Sequence, residues 1–364
     1  MLPGAGATTF TTLKTQFRAL VAPAPLFPNA VAATDTVTIG GAGTVDSYDG
    51  SASGVDVGGI NTVFFPGQIT TPFSPAAPNR GAAATIASTS TGSTAIAGGT
   101  GTIQGYLAAP SATLAPHAPT HSFSGILRGG ASGSGIDLTR VSRSPFVPMP
   151  MVSPAIPQIG LNMMGVTLPP ILNLGTPGSP VPTAFYFDLL VMQAGSLTEL
   201  NINGPVLLMI DRSLTINSGS IRINSTGSLT LYFGRNLRLE ASGGGFVNRN
   251  PSAANPDPKN LFIVGGGLFN RFLYINNPPL PAPSPPSFTG VVYLPLHRDT
   301  ISLTIAAGVT LRGALSAKRI LFSGAANVSY DTSLRYAKIP WLEQIYQVTE
   351  LRELTNSAER IVLP

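Results

Sequence analysis

Three aspartates near the start of the chain, Asp46, Asp49 and Asp56, are the residues best equipped to hold a hard cation, because calcium prefers carboxylate oxygens. They follow Gly40-Gly41-Ala42-Gly43-Thr44-Val45-Asp46, which comes within one position of the GGxGxD repeat of calcium-binding β-rolls. The acid falls one place late and the stretch occurs once, so glycine richness alone accounts for it. Aspartates also bond nearby backbone N–H groups, and a corner cap is the plainer role for Asp46 and for Asp331 beside Tyr330. Asp46, Asp49 and Asp56 stand as weak calcium candidates; no other metal and no cofactor is expected.

Other chemistry is sparse. His117 and His121 have the spacing of two ligands on one helical face, but Pro119 lies between them and no glutamate completes an H-E-x-x-H pattern. His297 stands apart. Glycoside hydrolysis needs two carboxylates about 5–9.5 Å apart, and the 16 acidic residues are too scattered to mark such a pair. No nucleophile elbow, dinucleotide-binding turn or Walker loop occurs. No catalytic residue is assigned, and a non-enzymatic protein is the favoured reading.

Aromatic pairs could mark adhesion: Phe64-Phe65, Phe185-Tyr186-Phe187 and Tyr232-Phe233. In an alternating strand one of each pair faces inward, so at least half of these aromatics are expected in the core, and Phe64, Phe65, Tyr186 and Tyr232 are taken as the partner-binding candidates. Charged residues make up only 10% of the chain, against roughly 25% in ordinary soluble domains. So low a charge density predicts apolar faces that meet protein partners or further copies of the chain. The 21 Lys and Arg form no cluster, which argues against nucleic acid. With no cysteine there are no disulfides, iron–sulfur clusters or Cys-based zinc sites. No apolar run approaches the roughly 18 residues of a membrane span.

The elements that would position these residues show best from Pro205 to Glu240. Val206-Ile210, Leu214-Ile216, Ile221-Ile223, Leu229-Phe233 and Leu237-Leu239 recur with Gly, Asn, Ser or Arg at the corners. This spacing suits an all-β, single-stranded β-solenoid, parallel β-helix-like, whose coils stack about 4.8 Å apart around a row of Leu, Ile and Val. Phe10, Leu13, Phe17 and Leu20 lie at helical spacing before Pro23 and Pro25, and Trp341-Leu354 opens after Pro340 with one apolar stripe. Short flanking helices are therefore expected at both ends. Prolines arrive every few residues between Arg140 and Pro182, where they forbid central strands and predict an extended crossing. The resulting division is 1–28 as helix and lead-in, 29–139 as a first thin solenoid section, 140–184 as the crossing, 185–336 as the main solenoid and 337–364 as a capping helix and tail.

Several stretches resemble one family: Thr36-Ser51 (TVTIGGAGTVDSYDGS), Leu200-Ile223 (LNINGPVLLMIDRSLTINSGSIRI), Gly290-Leu303 (GVVYLPLHRDTISL), Leu311-Leu334 (LRGALSAKRILFSGAANVSYDTSL) and Trp341-Leu342-Glu343. In order and spacing they are similar to a domain of uncharacterised bacterial exported proteins, of the kind described as PilX-like type IV pilus-assembly proteins. The resemblance implies a right-handed β-solenoid ectodomain on the cell surface or in an envelope assembly, with a hydrophobic leader that is absent from this chain. Leu294-Pro295-Leu296-His297 stands where Tyr-Ala-Pro-type residues are usual, and Ser329 replaces a common histidine before Tyr330-Asp331. That change removes the most reactive member of any His-Tyr-Asp cluster. The expected protein is an extracellular or surface structural, pilus-associated, matrix or adhesion protein. It docks through apolar faces and Pro-rich loops, with a glycan as a further candidate partner. The alternatives are a self-assembling filament subunit or a carbohydrate-active solenoid enzyme.

Overall fold

A computed structural model describes residues 17–23, 27–48, 84–91, 95–110, 125–128, 135–142, 161–163, 167–239, 245–252, 256–265, 272–275, 288–294, 302–337 and 346–353. These residues are nearly all β, with three short 3-10 turns and no α-helix among them. The chain divides into two compact units, Met1–Ala24 with Glu343–Pro364, and Pro25–Leu342.

In the smaller unit, Phe17–Pro23 pairs antiparallel with Tyr346–Glu353, with a register shift between Leu20 and Val21. Both flanking helices expected from sequence are thus corrected to strands over these residues. Seven and eight residues are too few to sustain an isolated helix, and Val21, Tyr346, Val348 and Thr349 favour extended backbone. Pairing gives each segment the backbone partners that a lone turn of helix would lack.

In the larger unit the strands line up as parallel ladders. The longest joins eleven strands through the register Leu161, Phe185, Leu208, Leu231, Ile263, Val292, Leu315, Val31, Ile86, Leu107 and Val141. Every member is apolar, and all but Leu161 are buried. Each such side chain removed from water contributes about 1.5–3 kcal/mol. A second ladder repeats the device at Leu190, Leu214, Leu237, Leu273, Leu303, Ile320, Val37 and Ile96. A third places Leu200, Ile221 and Phe246 in register behind Leu172. At its corner Asn224 Nδ2 donates to Asn203 Oδ1 at 2.6 Å, and Asn203 Nδ2 to Asn173 Oδ1 at 3.4 Å.

The two larger ladders differ in how they meet solvent. Along Pro205–Ile216 the second-ladder half alternates, with Leu214 and Ile216 buried and Ser213 and Thr215 half-exposed. The first half, Val206 to Ile210, is buried at every position, so its apolar run is continuous. Ion pairs link neighbouring rungs on the outside: Arg212 with Asp188, Arg222 with Glu199 at 2.8 Å, and Arg319 with Asp35 at 2.6 Å.

Stacking order and chain order do not coincide. Val31–Ala33 pairs with Thr310–Ala317 on one side and Ala84–Ser88 on the other, and Val37–Ile39 lies between Arg319–Phe322 and Ile96–Gly98. The described part of section 29–139 therefore extends the ladder beyond the C-terminal rung instead of preceding the first. Ser142 and Leu161 end up ten strand spacings apart along the long ladder, about 48 Å. The 18 intervening residues, part of the predicted crossing, lie outside the described residues; nineteen peptide steps reach at most about 63–68 Å.

Since the chain has no cysteine, an engineered pair reports only its own proximity. Thr38 and Leu321 are register partners on a solvent-facing position, within the Cα range that a disulfide spans. Thr38→Cys with Leu321→Cys should close an intramolecular disulfide on mild oxidation, seen as a reducible shift in gel mobility. A pair that stays reduced in the folded protein would contradict the stacking order.

Candidate functional site

The polar residues that this fold gathers lie where the N-terminal rung meets the C-terminal one. Thr44–Tyr48 runs parallel to Asn327–Asp331, with Val45 opposite Val328, Asp46 opposite Ser329, Ser47 opposite Tyr330 and Tyr48 opposite Asp331. Two of the sequence stretches quoted above, Asp46-Ser47-Tyr48 and Ser329-Tyr330-Asp331, thus become neighbours, one residue out of step. One rung further, Ser329 faces Arg312, and Arg312 faces Thr289. The result is a band of side chains running across the rungs: Thr289, Arg312, Ser329 and Asp46, with Asp331 and Tyr48 beside them.

All of the band but the half-buried Ser329 is closed to solvent. Asp331 is 1% exposed, Tyr48 3%, Arg312 4% and Asp46 5%. The Arg312 guanidinium carbon lies 5.5 Å from the centre of the Tyr48 ring, a cation–π contact inside the protein. Asp331 Oδ1 accepts from the Ser333 N–H at 2.9 Å and caps the turn Thr332–Tyr336, as expected for a corner aspartate. Asp257 caps Pro258–Asn260 in the same way through Lys259 N–H, and its carbonyl accepts from Asn248 Nδ2 at 2.8 Å.

Burial, and then the Asp331 carboxylate, push the Tyr48 phenol well above its ordinary value, with Arg312 pulling the other way. Burial lowers Arg312, with Tyr48 and Asp331 opposing that shift. A phenol so placed keeps its proton, and the enclosed guanidinium keeps its charge. Together these groups can neutralise and hydrogen-bond one another, but they offer a substrate no approach. Their chemistry is that of a lock between strands.

Further contacts fasten the same junction. The Phe27 ring packs edge-on against Tyr293 at 5.8 Å and tilted against Phe262 at 6.3 Å, and the Tyr330 hydroxyl donates to the Phe27 carbonyl at 2.6 Å. Thr44 donates to Asn327 Oδ1 through its backbone N–H at 3.1 Å and its hydroxyl at 2.8 Å. Thr310–Ala317 itself bends at Gly313, where φ is +140° and an added Cβ would stand 1.8 Å from the Gly290 carbonyl oxygen. The bend lets one strand serve two neighbours, Asn327–Asp331 through residues 310–312 and Val31–Ala33 through residues 315–317.

Of the calcium candidates, only Asp46 falls among the described residues, and it is buried in this band; Asp49 and Asp56 lie outside them, as do His117, His121 and His297. Among the described residues no three His, Asp or Glu side chains gather as a metal site. Phe64 and Phe65 are also outside. Tyr186 is half-buried on Thr183–Met192, and its phenol is raised by burial, then by Asp211 and Asp188. Tyr232 is a correction: it is fully buried, because Ser228–Phe233 is enclosed on both faces after its first residue, and it presents nothing to a partner. Sequence reasoning missed Arg312, whose only signal is a cation breaking the apolar run from Val309 to Leu315.

Gly313→Ala should destabilise the chain by at least about 2 kcal/mol in urea unfolding, because left-handed backbone strain adds to a backbone clash. Gly308→Ala, also at positive φ but with open space around the new Cβ, should lose about 1 kcal/mol; equal losses would deny the bend its role. Burial also raises the phenols of Tyr232 and Tyr293. Raised folded values mean that the stability tied to these protons is complete below the unfolded value near pH 10 and falls above it. Absorbance near 295 nm should show Tyr48, Tyr232 and Tyr293 ionising only together with unfolding. Their titration in the native protein would contradict the enclosure.

Residues 182–337 match the family model described as a domain of unknown function, DUF7305. No curated protein and no solved structure matches the chain. The matched span contains Arg312, Asp331 and Tyr330, whereas Asp46, Tyr48 and Phe27 come from outside it.

Proposed function

We propose that the chain is a non-enzymatic structural or adhesion protein, a right-handed β-solenoid exported to the bacterial surface, in a pilus-associated or matrix setting. The observation that carries this reading is the eleven-strand apolar register of the long ladder, a design that holds distance and presents flanks. The polar groups that an enzyme would turn toward a substrate are instead enclosed at the junction between rungs. Arg212, Arg222 and Arg319 are each committed to a carboxylate of a neighbouring rung, which supports partners other than nucleic acid. Among the described residues no helix is long and apolar enough to cross a membrane. The surface setting rests on the resemblance carried by Thr36-Ser51, Leu200-Ile223 and Leu311-Leu334.

Fractionation of bacterial cells making the protein from its complete gene should recover it in the envelope or the medium, and purified protein should leave a panel of acidic glycans at full length. Recovery from the cytoplasm alone would contradict the surface role. Glycan cleavage that disappears on replacing one carboxylate would replace the structural reading with an enzymatic one.

A further inference from the structure

We propose that the antiparallel pair of Phe17–Pro23 with Tyr346–Glu353 is a latch for the junction between Thr44–Tyr48 and Asn327–Asp331, so that pair and junction open and close together. The inference stands on strand pairing and chain connection, and is independent of where the protein resides. The pair joins segments more than three hundred residues apart and has no third strand among the described residues. Two strands by themselves are marginal in water. Arg18 and Arg352 are also register partners, and like charges at directly opposed positions weaken a strand pair. A register shift between Leu20 and Val21 interrupts the ladder further. So weak a pair forms only if its strands are brought together from elsewhere.

The junction brings them together. Only Ala24, Pro25 and Leu26 separate Pro23 from Phe27, whose carbonyl accepts from the Tyr330 hydroxyl at 2.6 Å and whose ring packs on Tyr293 at 5.8 Å. On the other strand, residues 338–345 separate Tyr346 from Ala337, whose N–H donates to the Leu334 carbonyl at 2.9 Å and closes the turn that Asp331 caps. Both connections thus start from neighbouring rungs. With the rungs from Leu161 to Asp331 in place and the pair open, docking Phe27 against Tyr330 closes a loop through Ser142 and Leu161 of about 130 residues. With the pair formed, the path through Pro23, Tyr346 and Ala337 is about twenty residues. Closure probability falls with roughly the three-halves power of loop length, so the pair favours docking on the order of tenfold. Linkage makes the docked junction favour the pair by the same factor.

Hydrogen–deuterium exchange of the full-length chain tests this on peptides from residues 31–48 and 310–331, with residues 206–237 as an internal reference. Val21→Pro with Leu351→Pro, which breaks the pair, should speed junction exchange on the order of tenfold and leave 206–237 unchanged. Arg18→Glu, which turns a like-charged register pair into an opposite-charged one, should slow junction exchange severalfold. Ala19→Cys with Leu351→Cys, register partners within the Cα range of a disulfide, should close on oxidation, slow junction exchange and restore it on reduction. That cysteine pair decides the matter should the proline variant lose its fold, seen as faster exchange over 206–237 as well. Junction exchange indifferent to the prolines in a folded chain, to the charge reversal or to closing the disulfide, or a cysteine pair that stays reduced, would each overturn the proposal.

Discussion

Each interior strand of the larger unit is asked to do two things at once: pair its backbone on both edges, and set its inward side chain directly above and below another apolar one. Parallel register enforces the second condition whenever the first is met, because a one-residue slip would turn every inward position outward. That is why Leu208, Leu231, Ile263, Val292 and Leu315 follow one another without a polar interruption. The bend at Gly313, the enclosed arginine and the amide row at one corner all serve to keep that register continuous where the chain turns or changes neighbour.

Continuity is hardest to maintain where Val31–Ala33, Val37–Ile39 and Thr44–Tyr48 join the rungs of Thr310–Ala317, Arg319–Phe322 and Asn327–Asp331. Segments almost three hundred residues apart must find each other, with a loop-closure cost to overcome. The junction carries a set of specific contacts: Phe27 on Tyr293 and Phe262, Tyr330 to the Phe27 carbonyl, Thr44 to Asn327, and Arg312 over Tyr48. Buried charge is a poor source of net stability. Its use here is discrimination, since only the correct strand brings Tyr48 opposite Asp331 and within reach of Arg312. The span matching the family model supplies one half of that arrangement, and the preceding segment supplies the other.

Much of the β character was legible in the chain itself. Leu214, Ile216 and Leu237 alternate with polar residues as half-exposed strands do, and Val206 to Ile210 reads as a strand buried on both faces. The same enclosure misled the assignment of Tyr232, because alternation implies an outward face only where nothing covers it. Phe17–Pro23 and Tyr346–Glu353 carry apolar spacings compatible with either period, and their mutual pairing decides for strand. Stacking order was invisible, since Leu315 and Val31 are ordinary core residues and nothing local names their partner. Nor does a lone arginine in Val309-Leu315 reveal that its guanidinium is enclosed.

The most direct test is a spin–spin distance between labels at Thr38→Cys and Thr215→Cys in the otherwise cysteine-free chain. Thr215, Arg238, Tyr274, Thr304, Leu321 and Thr38 occupy consecutive rungs of one register, so five spacings predict a backbone separation of about 24 Å. A separation of about 14 Å, the three spacings expected if the N-terminal section stacked ahead of Thr183–Met192 with Ile96–Gly98 next to it, would contradict the continuous ladder on which the rest depends.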